Sequence, residues 1–146
     1  MDSSDTKQIV KNAWKAFASH DAEQIAAVFT EDAQWLAPPG NATAKALGHT
    51  GHVLDRKTIV HFMAHEFPTL FVSNVELTFT GLVAEGSTAV LEHRLQATLA
   101  NGRHYDNDYC FVIETRDGRI RRMREYMDTQ RGFKCIFGDA ELSRAA

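Results

Sequence analysis

The chain has 146 residues, enough for one domain with a real core, and its 44% hydrophobic and 24% charged content is ordinary for a globular protein. Sixteen basic against nineteen acidic residues leave a net charge of -3, and a nucleic-acid surface would need a concentrated positive footprint instead. No apolar run approaches membrane-spanning length and the start, MDSSDTKQIVKNAW, is polar and acidic, so a cytoplasmic protein with no membrane contact is expected.

In chain order, DTKQIVKNAWKAF sets Ile9, Ala13 and Phe17 four apart with Val10 and Trp14 beside them, the stripe of an amphipathic helix. Ser3, Ser4 or Asp5 is its expected cap. After a break at SHD, Asp21 and Gln24 form a capping-box-like pair, and Ile25, Val28 and Phe29 make a second buried stripe. FTEDAQWL is a short extended piece around Trp35, stopped by Pro38-Pro39-Gly40. Residues 40–54 are aperiodic and read as loop. Asp55 then caps a third helix that should end before Pro68.

From residue 72 the period changes to two. VSNVELTFTGLVAEG, TAVLEHRLQATLA, RHYDNDYCFVIET and RIRRMREYMD alternate as four long strands. Their turns are marked by Glu85-Gly86-Ser87, Asn101-Gly102 and Asp117-Gly118. Asp128 caps a last short helix, TQRGFKCIF, which Gly132 weakens. The expectation is a single α+β domain over residues 1–146: a cone-shaped, curved, mixed or antiparallel sheet wrapped around three N-terminal helices, with a short C-terminal helix. A cone has a mouth, so one sheet face is expected to line a pocket.

Four of the seven histidines fall in HTGHVLDRKTIVHFMAHE, residues 49–66. His61 and His65 are four apart, on one side of a helix. At about 100° per residue, however, Ile59, Val60, Phe62, Met63 and Phe67 occupy the other side, so the pair rides the polar face. A metal would need a third ligand and closed supporting bonds, and none is fixed by His49 or His52 in the loop. No metal is therefore expected. A polar surface face is the main reading, with His61 or His65 reaching over the pocket rim as the other; His65, nearer Phe62, is the better rim candidate. Cys110 and Cys135 match no zinc spacing and define no disulfide framework.

Glu125 shares a strand face with Met123 and Met127, while Arg124 and Tyr126 face the other way. A lone carboxylate between methionines is desolvated, which raises its pKa toward the range of a general acid–base. The other reading is an ordinary salt bridge to Arg94 or Arg122. Arg94 either orients an anionic group or is a solvated charge. Tyr109 and Asp108 alternate, so one of them faces the pocket; Tyr109 shares its face with Phe111 and Ile113. One of Asp106, Asn107 and Asp108 is expected as a supporting partner. Trp14 and Trp35 read as core or pocket wall. The basic run RDGRIRRMRE, residues 116–125, alternates to both faces and makes no patch.

FTEDA after the second helix and NDYCFVIETRDGRIRRMREYMDT at the end of the sheet resemble the SnoaL-like polyketide cyclases, within the superfamily of ketosteroid isomerase and nuclear transport factor two. The resemblance spans nearly the whole chain and is specific to the fold, not to the reaction. Aligned on DAEQIAAVF, the steroid isomerases carry a catalytic carboxylate where this chain has Ala37, and their first-helix tyrosine falls near Ala13. The arginine, aspartate and acid of limonene-epoxide hydrolases align with Arg94, Gln96 and Glu125, so their charged triad is incomplete. Phenazine-biosynthesis proteins of this fold place a catalytic glutamate at Glu125, assisted by a histidine from the third-helix region, here His61 or His65.

The resemblance thus implies a cofactor-free acid–base enzyme (a cyclase, isomerase or dehydratase) acting on a hydrophobic oxygenated molecule such as a polyketide or terpenoid. Glu125 would move the proton, helped by Arg94, Tyr109 or His65, with Trp14, Trp35, His61, Gln96, Asp108, Phe111, Met123 and Met127 around the substrate. The alternatives are a non-catalytic binding module of the same fold, or an epoxide-hydrolase-like enzyme with an altered triad. The half-apolar LEHRLQATL strand suggests pairing across a two-fold axis, hence a homodimer.

Overall fold

The computed structural model describes the backbone of residues 2–145 and side chains from residue 2 to residue 138; Met1 and Ala146, the ends of the expected domain, lie outside the described residues. Helix α1 (Ser3–Ser19) buries Thr6, Val10, Ala13, Trp14, Ala16 and Phe17, the stripe that the four-residue spacing predicts. Its cap is Asp2, which accepts from the Ser4 N–H at 3.0 Å, one residue earlier than the expected candidates. The end is set by His20 in the left-handed region, whose ring Nδ1 donates to the Met63 carbonyl at 2.9 Å. Asp21 caps α2 (Ala22–Ala27) and Asp55 caps α4 (Arg56–His61), each accepting from the N–H three residues on.

Two expectations are corrected between these helices. Residues 40–54 are not all loop: Asn41 caps α3 (Ala42–Ala46), and β2 (Val53–Asp55) follows. The third helix does not stop before Pro68. It widens into a π turn (Phe62–Glu66), where the Phe67 N–H reaches back to the Phe62 carbonyl, and resumes as α5 (Phe67–Leu70). The wider turn lets Pro68 stand in the first turn of the new segment, where a missing N–H costs nothing.

The sheet has six strands in the order β2-β1-β6-β5-β4-β3. β1 (Phe29–Leu36) runs parallel to β6 (Arg119–Met127), and β3 (Phe71–Glu85), β4 (Thr88–Leu99), β5 (His104–Arg116) and β6 form an antiparallel meander. Repeated register shifts in the β3/β4 ladder, with Asn74 at positive φ, and another in β5/β6 bend the ribbons, so the sheet curves without closing. Asp117-Gly118, both at positive φ, make the two-residue turn between β5 and β6.

The concave face buries Ala89, Leu91, Leu95, Ala97 and Leu99 of β4, Tyr105, Phe111 and Ile113 of β5, and Ile120 and Met123 of β6. α1 lies against this face, with Trp14 edge-on to Phe111 at 5.1 Å between ring centroids. Asp128 caps α6 (Thr129–Ala145) by accepting from the Arg131 N–H, and Gly138 at positive φ breaks the helix after its first two turns. Gly132 lies where α6 meets β5, and a Cβ there would make ordinary contacts, 3.4 Å from Asn107 Nδ2 and 3.7 Å from the Tyr105 hydroxyl.

Candidate functional site

Between α1, the π turn, β1 and the inner sheet face lies a cavity of about 590 Å³. Its walls are mainly aromatic and aliphatic: Trp14 and Phe17 from α1, Trp35 from β1, Phe62 and Met63 from the π turn, and Leu95, Phe111 and Met127 from the sheet. Exposed Lys11, Lys15, Val75 and Leu77 border it. Three polar side chains of the sheet face the cavity from within: Glu125, Tyr109 and His93.

Glu125 is 8% exposed and sits opposite Phe111 in the β5/β6 ladder. Among the described residues its hydrogen-bond partner is the Trp35 indole N–H, which donates to Oε1 at 3.0 Å. Neither alternative salt-bridge partner reaches it: Arg94 binds Asp106, and Arg122 stands 3.7 Å from Glu114. Burial raises the carboxyl pKa to about 7, against the smaller opposing pull of the Trp35 bond. A carboxyl balanced there can both give and take a proton near neutrality.

Tyr109 is 8% exposed, and its hydroxyl hydrogen-bonds the Tyr105 hydroxyl. Asn107 Nδ2 donates to Tyr105 at 3.3 Å and to the Asp128 carbonyl at 3.0 Å, so the pair is tied to the start of α6. Of the three polar residues at 106–108, Asn107 is thus the supporting partner. Burial holds the Tyr109 phenol well above its ordinary value, with the neighbouring Tyr105 and Glu125 adding to the rise, and pushes Tyr105 up to about 12. Both stay neutral and keep a hydroxyl proton.

Several expected site residues stand elsewhere. Arg94 and Gln96 alternate with the inward His93 and Leu95, so they point to the outer face; Arg94 makes a two-pronged bond to Asp106 at 2.8 and 2.6 Å. Asp108 is likewise outside, 3.2 Å from Arg131. The alignment with an arginine–aspartate pair therefore assigns residues on the wrong face of the strand, because one step along a strand inverts the side. His61 and His65 are both exposed, their rings 5.4 Å apart, and neither lines the cavity. The polar-face reading holds for them. Among the described residues no three His, Cys, Asp or Glu side chains form a metal-ligand group. Met123 is fully buried beneath the cavity, whereas Trp14, Trp35, Phe111 and Met127 line it.

His93 and Tyr105 are the inward residues that sequence reasoning passed over. The signal for His93 was present: its alternation places it among Leu91, Leu95, Ala97 and Leu99, an apolar strand face with one imidazole in it. It is 4% exposed and stacked on Tyr109 and Phe111 at 5.1 and 5.4 Å between centroids, and burial lowers its pKa to about 4. The ring is neutral at pH 7.

A family model described as a SnoaL-like domain matches residues 10–123. No curated protein matches the chain by sequence. Among solved structures, an NTF2-like protein of unknown function from Burkholderia pseudomallei is 21% identical, with 94% of this chain and 99% of that one covered and a TM-score of 0.76. TerC, co-crystallised with polyporic acid, is 23% identical over 90% of this chain and 98% of its own, with a TM-score of 0.75. A protein of ketosteroid isomerase-like fold from Catenulispora acidiphila, in complex with trimethylamine, is 15% identical over 91% and 95%, with a TM-score of 0.69. At these identities the structural likeness speaks for the fold.

Proposed function

Because this chain belongs to the SnoaL-like domain family, a fold that does not dictate a reaction, we propose its function from the cavity: acid–base catalysis on a hydrophobic, oxygenated small molecule, with Glu125 as the group that moves the proton. The observation that carries this reading is a buried carboxyl, paired among the described residues only with an indole N–H, facing an aromatic cavity. A carboxyl with a pKa of about 7 is poised to take a proton from carbon beside a carbonyl and return it to another atom, the common core of isomerisation, dehydration and aldol-type cyclisation. Tyr109, neutral and with its hydroxyl oriented by Tyr105, is the partner able to hydrogen-bond a developing oxyanion. This chemistry calls for no cofactor. TerC, similar to this chain in fold, was co-crystallised with a small molecule, polyporic acid, and a polyketide- or terpenoid-like substrate suits the aromatic cavity of this chain. The reading includes a single domain, a cytoplasmic location and a homodimer, the last tested by sedimentation.

The test needs no natural substrate. In D2O the protein should accelerate deuterium exchange at the acidic C1 position of 2-tetralone, read by NMR, with saturation in ketone. Glu125→Gln should lower that acceleration by a factor of about 10² to 10⁴ while leaving ketone binding nearly intact. Exchange that survives in Glu125→Gln removes the assignment. A second reading, a binding module without chemistry, draws on Ala37, which lines the cavity with a methyl where the resembling isomerases carry a carboxylate. It requires that no exchange occurs and that the Glu125 carboxyl titrates in the ordinary range.

A further inference from the structure

His93 has no place in the chemistry above, yet it is the most unusual polar group in the cavity. It is 4% exposed, its Nδ1 is fully buried, and among the described residues that nitrogen has no hydrogen-bond partner. A buried polar atom without a partner is uncommon, because burial strips its water and returns nothing. Core packing alone would favour leucine or phenylalanine at this point, as at Leu91 and Leu95 on either side. The imidazole lines the cavity; with Nδ1 covered by protein, the other ring nitrogen, Nε2, is the one a bound molecule can meet.

The ladder fixes where it stands relative to Glu125. Across β4, β5 and β6, His93 faces Tyr109, which faces Met127; the next rung is Leu91, Phe111 and Glu125. His93 and Glu125 are thus two strands and one rung apart, roughly 10 Å sideways and roughly 7 Å along at strand spacings. The floor between them is the pair of stacked rings Tyr109 and Phe111, nearly parallel at 16°. Trp14 stands edge-on over His93 and Phe111. An aromatic slot with one polar group at each end is shaped for a flat molecule with oxygen at both ends.

We infer that His93 is a specificity-determining binding residue: the cavity takes a planar aromatic ligand carrying two oxygen functions at opposite ends, one held by the His93 imidazole and the other presented to Glu125. This deepens the acid–base reading and rests on it for the Glu125 end. A neutral imidazole has one donor and one acceptor, so it receives a hydroxyl or a carbonyl but offers no charge to a carboxylate. Phenolic and quinonoid oxygens fit; a second ionised group does not. The ligand class is therefore a fused-ring or biaryl compound with uncharged oxygen at the His93 end.

Naphthalene, 2-naphthol and 2,6-naphthalenediol are probes of equal body and rising oxygen count. By calorimetry the protein should bind the diol about tenfold tighter than 2-naphthol, the gain of one buried hydrogen bond. His93→Phe keeps the ring and should bring the diol to the affinity of 2-naphthol. Should that variant fold poorly, the wild-type ¹⁵N imidazole spectrum decides: the His93 nitrogens should shift on adding the diol and stay fixed with naphthalene. An unchanged diol preference in folded His93→Phe, no preference in the wild type, no binding of any probe, or no ¹⁵N response to the diol each overturns the inference. Exchange into 2-tetralone tests Glu125 separately, so its persistence alongside a lost diol preference removes His93 alone.

Discussion

On the outer face of β4 to β6, Arg94 is held by Asp106, Arg131 bridges Asp106 and Asp108, and Arg121, Arg122 and Arg124 surround Glu114. One residue along the same strands, on the inner face, Glu125 has an indole N–H and His93 has a buried nitrogen with no partner among the described residues. The outer charges form ion pairs within reach of solvent, so each pair adds little net stability. The inner groups are dry and, among the described residues, form no ion pair, so desolvation dominates and drives acid and base alike toward their neutral forms. Ionisable residues on one sheet therefore do two different jobs, decided by which way the pleat turns them.

The largest effect should come from placing a charge on the inner face without the provisions made for Glu125. Ile113→Glu puts a carboxylate at a fully buried site opposite Met123. The expected cost is about 4 kcal/mol or more, seen as loss of the cooperative denaturation transition. A variant that unfolds as cooperatively as the parent would mean that the inner face is wetter than this comparison holds.

The next effect separates the two inner groups by their pH dependence. Glu125 has a folded pKa of about 7 against an ordinary 4.5, so the folded state binds the extra proton and stability falls as pH rises through this window, by about 3 kcal/mol in all. His93, at about 4 against 6.5, is uncharged in the folded protein while the unfolded chain takes up a proton. Its contribution is present above pH 6.5 and is lost, also by about 3 kcal/mol, as pH falls to 4. Between pH 4.5 and 6.5 the two slopes oppose. Denaturant titrations should find Glu125→Gln gaining on the wild type up to pH 7 and becoming steeply acid-sensitive below 6.5, with the His93 slope unmasked. Parallel pH profiles for the two proteins would contradict both shifts.

The smallest effect belongs outside. Arg94→Ala should leave probe affinity and deuterium exchange unchanged and move the denaturation midpoint less than either change above. A large loss of exchange there would return Arg94 to the site and break the two-face distinction.

Much of this arrangement is legible in the residue order. The caps at Asp21, Asp55 and Asp128, the period-two strands and the turns at Gly86, Gly102 and Gly118 are local signals, each set by a few neighbouring atoms. The inward facing of Glu125 between Met123 and Met127 follows from the same alternation. What alternation leaves open is the partner. That Trp35, ninety residues away, donates to Glu125, and that Asn107 on β5 donates to the Asp128 carbonyl at the start of α6, are long-range meetings. The misplacement of Arg94 and Gln96 has the same origin. A motif carried over by residue type ignored the one-step register on which the facing of a strand depends.

The sequence by itself determined the α+β class and the in-and-out alternation of the long strands, because capping, turn chemistry and hydrophobic period act over a few residues; the order of strands in the sheet, with β1 parallel to β6, came from contacts between distant segments. Only the tertiary structure decided that the inner face encloses a cavity instead of a solid core. The curvature that opens it comes from bulges and from the seating of α1 and the π turn against the sheet. Desolvation is a property of that enclosure, so the raised acid of Glu125 and the silenced base of His93 exist only once distant segments have closed around them.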